Sequence, residues 1–485
     1  MATPIPANRA RFTLDELLAA TSGRAIGLDG AEVESISTDS RTVPAGGLFV
    51  ALRGETHDGH RFVEPARARG AVAMVAAGAG VEGPRIEVAD PLVALGALAR
   101  AHVDRLARVQ GPLPTLAIGG AAGKTTTKTL AAAGVAALFG ETLVTAGNLN
   151  NRIGVPMTLL TLEPRHRAVV LECGTSEPGE IAALGAVARP DAALVLNVGI
   201  EHSEKLGSLE AIAEEEGALL DAARRAAITS SEEPLLVARL ARCPAPAKLT
   251  FGSSSRADLR LAGREVDALG RSNLRFQLSA AFGSGRELRV TTALLGPHAA
   301  TNAAAAAAGA LALLGRDATA AELERLAAAL GAVAAVPGRM RPLALGDLLV
   351  LDDAYNSNPR SVRAALEAAR ETAARRGGGL VVALGDMLEL GELAPTEHDA
   401  MVAAADAAGA RRLVLVGPQS AAAAARSALA TPTALFASSE AAAAAIGDLV
   451  LPGEVVLVKG SRGIRTERLI AALARRAGVE VGLAL

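Results

Sequence analysis

From Leu113 onward, apolar runs of strand length keep recurring, with helical stretches between them. They read "LPTLAIGG", "RAVVLECG", "DAALVLNVG", "LLVLDDA", "GLVVALGD", "RRLVLVGP" and "EVVLVKGS". A strand that is apolar along its whole length must be covered on both faces. A helix after the strand supplies that cover and the crossover to a parallel neighbour. The pattern predicts an α/β protein with mainly parallel sheets.

The chain has 485 residues, enough for about three domains of roughly 150 residues each. Residues 1–110 form the first zone, where short strand-like pieces ("GLFVAL", "AVAMVAA") mix with turn signals such as "PAGG". Residues 111–335 carry the first set of long apolar runs. Residues 336–485 begin near "VPGRMRP" and carry the second. The alanine tracts Ala303–Ala308 and Ala421–Ala425 read as helix, because alanine is the best helix former.

A net charge of −2 gives no reason to expect a nucleic-acid partner. Cys173 and Cys243 lack metal-ligand spacing and fit a reducing compartment. The start lacks a signal-type apolar core, and the longest apolar run, 303–314, is shorter than the roughly 20 residues a bilayer needs. A cytoplasmic protein with no membrane insertion is expected. Only five of the 49 basic residues are lysines: Lys124, Lys128, Lys205, Lys248 and Lys459. A lysine kept in so arginine-rich a chain is a candidate for work that needs a compact ammonium.

The sharpest local signal is "LAIGGAAGKTTTKTL". A strand ends at Ile118, a small-residue loop follows, and a helix opens at Lys124. Gly120 and Gly123 let backbone N–H groups curl around phosphate oxygens, and the helix N-terminus favours the anion. Lys124 can reach the β- and γ-phosphates, and Thr125 or Thr126 can offer a hydroxyl to Mg²⁺. Two later runs end in polar residues, Glu172 and His202. Ligands of doubly wound sheets gather beyond the carboxyl ends of strands, so both should face the crevice of the phosphate loop. With ATP phosphates, they would hold Mg²⁺.

Seven motifs in order, "GKTTTK", "TAGNLNNRIGVPMTLL", "PGEI", "GPHAATNA", "DDAYNSNPRSV", "ALGDMLELGE" and "VKGSRG", resemble the Mur ligase family over nearly the whole chain. "STDSRTVPAGGLFVALRGETHDGHRFV" is similar to that family's UDP-binding segment. The resemblance implies three domains: a smaller N-terminal α/β UDP-binding domain, a central P-loop ATPase domain and a C-terminal Rossmann-like domain. "GNLNN" and "DMLELGE" point to the branch that joins D-alanyl-D-alanine to UDP-N-acetylmuramoyl-tripeptide through an acyl phosphate, as a monomer using ATP and Mg²⁺. By resemblance, Thr125 or Thr126 and Glu172 hold one Mg²⁺, and Glu172, His202 and Glu216 the other. Asn302 contacts ATP, Arg339 the γ-phosphate and Asp353 the ribose. Ser40 and Arg41 meet the UDP-sugar, and Asn148 and Asn151 the substrate. Because Arg339 and Asp353 come from the third zone, domain closure would complete the site. Lys459 is left open between a phosphate, the dipeptide carboxylate and a strand-end cap.

"AIAEEEGALL" places Glu214, Glu215 and Glu216 side by side. Relatives carry a CO₂-carbamylated lysine on this helix, and by count from His202 its position falls at Glu216. Glutamate is shorter by roughly 3–4 Å. Either the helix lies closer to the metal, a water bridges, or the second metal site is weaker. Glu214 and Glu215, turned about 100° per residue, are expected to face solvent or a neighbouring domain. Other departures from the family pattern are Gly119 for threonine, Ala299 for asparagine, Glu177 for histidine and Glu201 for a small residue. They keep two alternatives in play: a sibling ligase for another amino acid, and a degenerate relative that binds nucleotide or UDP-sugar as a scaffold or sensor.

Overall fold

In the computed structural model, which describes residues 3–54, 57–200, 203–267, 270–283 and 285–483, the apolar runs become the centres of two large sheets. The first has nine strands. Its parallel part runs Thr142–Val144, Ala168–Glu172, Thr115–Gly119, Ala192–Val195, Ala226–Ser230, Ala247–Gly252 and Leu259–Val266. Thr115–Gly119 lies between Ala168–Glu172 and Ala192–Val195, so the chain crosses from one side of it to the other. That reversal opens a crevice at the strands' carboxyl ends.

Side-chain alternation along Thr115–Gly119 shows how the two faces are covered. Leu116 and Ile118 join a core with Leu130, Val135 and the tract Ala303–Ala308. Ala117 joins the opposite core, with Ile181, Leu184 and Leu219. The first face carries the helices Lys124–Phe139, Pro297–Leu314 and Ala320–Gly331; the second carries Glu180–Ala188 and Leu209–Asp221. All six residues of Ala303–Ala308 are fully buried, and a Cβ at Gly309 would lie 2.9 Å from Leu116 Cδ2. Methyl-sized side chains let this helix sit close against the sheet.

The sheet is not parallel throughout. Ser272–Leu278 and Glu287–Thr292 add two antiparallel strands at one edge. Leu274, Phe276 and Leu278 point inward while Asn273, Arg275 and Gln277 point out. This period-two pattern marks a strand with one wet face. It differs from the uniformly apolar runs, which is why the sequence reading passed over it.

The second sheet orders Arg341–Leu345, Leu348–Asp353, Val455–Lys459, Leu380–Gly385, Arg412–Val416 and Thr433–Phe436, parallel except for the first edge strand. A third, five-stranded sheet spans Arg24–Ile26 to Arg85–Val88. The helix Pro91–Gln110 then packs Leu95, Leu98 and Val103 into the same core as Val155, Met157 and Ile181. The first zone is therefore seated on the nine-stranded sheet's helices. Among the described residues, no helix is long and apolar enough to cross a membrane.

Candidate active site

The phosphate loop has the expected form. Gly123 precedes the helix Lys124–Phe139 with φ 89°, and a Cβ there would lie 2.6 Å from Asn302 Oδ1. The backbone conformation favours glycine, and any side chain there would push Asn302 aside. Asn197, which the sequence reading did not single out, clamps the loop. Its Oδ1 accepts from Ala122 N at 2.9 Å, and its Nδ2 donates to Ala122 O at 2.9 Å. Lys124 Nζ donates to Gly120 O at 2.5 Å.

Glu172 ends its strand beside the loop, paired in register with Ile118. Its Oε1 accepts from Asn150 Nδ2 at 2.9 Å and lies 3.5 Å from Thr125 Oγ1. Its Oε2 lies 3.0 Å from Lys128 Nζ, with both side chains almost wholly buried. That oxygen accepts no aligned hydrogen bond among the described residues. Lys128, one of the five lysines, is thus the counter-charge of the strand-end carboxylate. "GNLNN" brings Asn150, which the sequence reading did not single out, to Glu172, and all three asparagines line the crevice. Asn148 Oδ1 accepts from Thr3 Oγ1, and Asn151 Oδ1 caps the helix Gly154–Leu159 through Ile153 N and Gly154 N.

The three carboxylates of the acidic run take different partners. Glu214 pairs with Arg239 and Arg242 at the surface. Glu215, expected to face solvent or a neighbouring domain, accepts from Gly179 N at 2.7 Å and Ile181 N at 2.9 Å, capping the helix Glu180–Ala188. Glu216 is 1% exposed, and its Oε2 accepts from Gly120 N at 2.7 Å. Gly119 makes room for it, since a Cβ there would lie 3.0 Å from that oxygen. Glu216 therefore lies under the loop and lines neither cavity of the crevice. His202 and Glu201 fall outside the described residues. Among those described, no three His, Cys, Asp or Glu side chains converge as a metal site, and the expected second Mg²⁺ set includes His202, which lies outside them.

The six-stranded sheet closes the crevice. Asp353 and Lys459 are register partners at the ends of adjacent strands. Lys459 Nζ donates to Asp353 Oδ2 at 2.7 Å and to Asn356 O at 2.9 Å. Burial lowers the ammonium's pKa, opposed by the Asp353 charge. Asp353 Oδ1 accepts from Met340 N. Lys459 is thus a buried strand-end partner that also lines the first cavity. Arg339 stacks over Tyr355, the chain's single tyrosine, at 4.3 Å from the ring centre. Arg360 reaches back to Val198 O at 3.1 Å and to Glu233 at 2.5 Å.

Two adjoining cavities of about 330 and 340 Å³ result. The first brings together Thr125, Thr126, Asn302, Arg339, Asp353 and His298. The second holds Lys124, Thr125, Glu172 and Arg339, together with Asn148, Asn150 and Asn151. Ser40 and Arg41 line neither. Ser40 is buried, and the exposed Arg41 forms a bidentate pair with Asp39, which lowers that carboxyl's pKa. His298 was also missed. Its Nδ1 is shut off from solvent without a partner among the described residues, and burial pushes its pKa down.

Comparison with known proteins agrees with this architecture. The Mur ligase middle domain matches residues 118–310, the Mur ligase glutamate ligase domain 338–462, and the Mur ligase family catalytic domain 32–103. The UDP-N-acetylmuramoyl-tripeptide–D-alanyl-D-alanine ligase of Escherichia coli is 35% identical, covering 84% of this chain and 86% of its own. That of Mycobacterium bovis is 36% identical, covering 79% and 77%. A crystal structure of MurF from Acinetobacter baumannii matches with a TM-score of 0.83 at 27% identity, covering 98% of this chain and 100% of that one.

Proposed function

This chain belongs to the Mur ligase family and is a ligase that adds D-alanyl-D-alanine to UDP-N-acetylmuramoyl-tripeptide; we propose that it does so by ATP-driven activation of the tripeptide carboxylate in the crevice between the two large sheets. The observation that carries this reading is convergence. The phosphate loop and Glu172 stand on one sheet, Arg339 and Asp353 on the other, and all four line two joined cavities.

A carboxylate is a poor acyl donor because oxide would have to leave. Its oxygen attacks the γ-phosphorus of ATP, ADP departs, and an acyl phosphate forms. The dipeptide amine then attacks the acyl carbon, loses a proton and expels phosphate. Lys124 and Arg339 stand where they would offset charge on the transferring phosphoryl group. Arg339 is oriented by its stack on Tyr355. Closure of the six-stranded sheet over the loop excludes water from the acyl phosphate.

Mg²⁺ fits this donor set. Thr125 and Glu172 offer hard oxygens, and Glu172 Oε2 lacks an aligned donor. Bound there with the phosphates, the ion would supply further neutralisation. Cytoplasmic location and a monomeric state, expected from the sequence, belong to the same proposal.

The test is phosphate release by the purified chain. Release that requires ATP, UDP-N-acetylmuramoyl-tripeptide and D-alanyl-D-alanine together supports the reading. Nucleotide binding without turnover favours a scaffold, and turnover with another amino acid favours a sibling ligase.

A further inference from the structure

We propose that Glu216 is a positioning residue for the nucleotide phosphates and acts through the peptide of Gly120, not as a ligand to a cation. The inference rests on the nucleotide reading above and adds a residue to it.

Gly119 and Gly120 are consecutive glycines at the point where the strand turns into the phosphate loop, so the backbone there has its greatest freedom. In this structure Gly120 is held at both ends. Its N–H is taken by Glu216 Oε2, and its carbonyl accepts from Lys124 Nζ. Its φ is 117°, and a Cβ would lie 2.9 Å from Leu196 N. The next two N–H groups are held by Asn197, through its backbone carbonyl for Ala121 and its side chain for Ala122. Three successive loop amides are thus satisfied by protein. Anion binding falls to Lys124 and to the first turn of its helix, whose N–H groups have no intrahelical acceptors. A carboxylate accepting from an amide makes a charge-assisted bond, stronger than a neutral one. The missing side chain at Gly119 is what lets it lie there.

The neighbouring carboxylate gives the arrangement a second purpose. Glu215, one residue earlier, holds Gly179 N and Ile181 N. Between them lies Glu180, which lines the cavity wall across from the loop with Thr175 and Ser176. One helix, Leu209–Asp221, thereby grips both sides of the crevice and sets their spacing.

ADP binding to the full chain, measured by calorimetry with Mg²⁺ and without turnover, tests the idea. Glu216→Ala is expected to weaken binding about tenfold or more, the scale of a lost charge-assisted hydrogen bond. Hydrogen exchange at the Gly120 amide should accelerate with it. In Glu216→Gln the amide oxygen still accepts the bond, so affinity should stay within about threefold and the exchange protection should persist. Gly119→Ala leaves Glu216 in place but crowds Oε2. It should weaken ADP binding at a near-normal melting temperature, and it carries the test if Glu216→Ala fails to fold. Wild-type affinity in Glu216→Ala or Gly119→Ala overturns the proposal. So does a loss in Glu216→Gln as large as in Glu216→Ala, because charge toward a cation would then be what matters. A wild-type chain that binds no ADP overturns the nucleotide reading itself.

Discussion

Lys459 Nζ sits 2.7 Å from Asp353 Oδ2, straight across two paired strands, with the lysine side chain 2% exposed. Removing one member of a buried pair leaves the other charge uncompensated. Lys459→Met is therefore expected to destabilise the protein by about 3–5 kcal/mol. Urea unfolding of the variant and of Lys459→Met/Asp353→Leu checks this. The double variant should recover a substantial part of the loss.

Lys124→Met removes the ammonium nearest the loop. Turnover should drop by about 10²–10³-fold, the cost of one preorganised charge partner. UDP-N-acetylmuramoyl-tripeptide affinity, measured separately, should be unchanged. A weaker tripeptide complex would place Lys124 on the wrong substrate.

Arg360 joins the six-stranded sheet's helix Pro359–Arg376 to Glu233 and Val198, and Arg264 joins Glu371 of the same helix with bonds of 2.8 and 3.1 Å. Both pairs join the two sheets, and Arg360 also lines the first cavity. Arg360→Ala should raise the ATP KM several-fold and release phosphate in excess of amide product, as water reaches the acyl phosphate. Strict one-to-one coupling in the variant would show that closure does not depend on this contact.

Glu216 carries its charge without any reaction with CO₂. Activity in CO₂-free buffer should match activity with added bicarbonate. Stimulation by bicarbonate would mean that another group is carbamylated.

His298 adds an acid-side dependence. Burial holds its folded pKa below the ordinary 6.5. The unfolded chain therefore takes up the proton at higher pH than the folded one. The resulting stability is fully present above pH 6.5 and is lost as pH falls from there toward the folded value. His298→Asn should flatten this part of the stability–pH curve. His102, also lowered by burial, keeps a slope of the same sign.

What was legible in the sequence was what local chemistry dictates. Glycines, a lysine and threonines between an apolar run and a helix mark a phosphate loop without tertiary knowledge, and Glu172 is marked by the end of its run. Asn150 was not separable from Asn148 and Asn151, because three asparagines in a turn differ only in which way the loop faces them. Glu216 was measured by its reach toward a metal. The space left by Gly119, almost a hundred residues away in the chain, lets it lie beneath the loop. Lys128 was marked only as one of five retained lysines, and Asn197 not at all, because their partners come from elsewhere in the chain. The two antiparallel strands were written plainly as alternation, but the stronger uniform runs beside them fixed attention on parallel pairing.

The helix Pro297–Leu314 packs against the phosphate-loop strand through methyl groups, and its opening turn walls the nucleotide cavity. Its fit against the sheet has almost no slack, since no side chain along Ala303–Ala308 can adopt another rotamer to absorb a displacement. A bulkier residue anywhere along that seam would move the cavity wall as a rigid piece. A change in the pocket's floor would therefore need compensating changes at several positions at once.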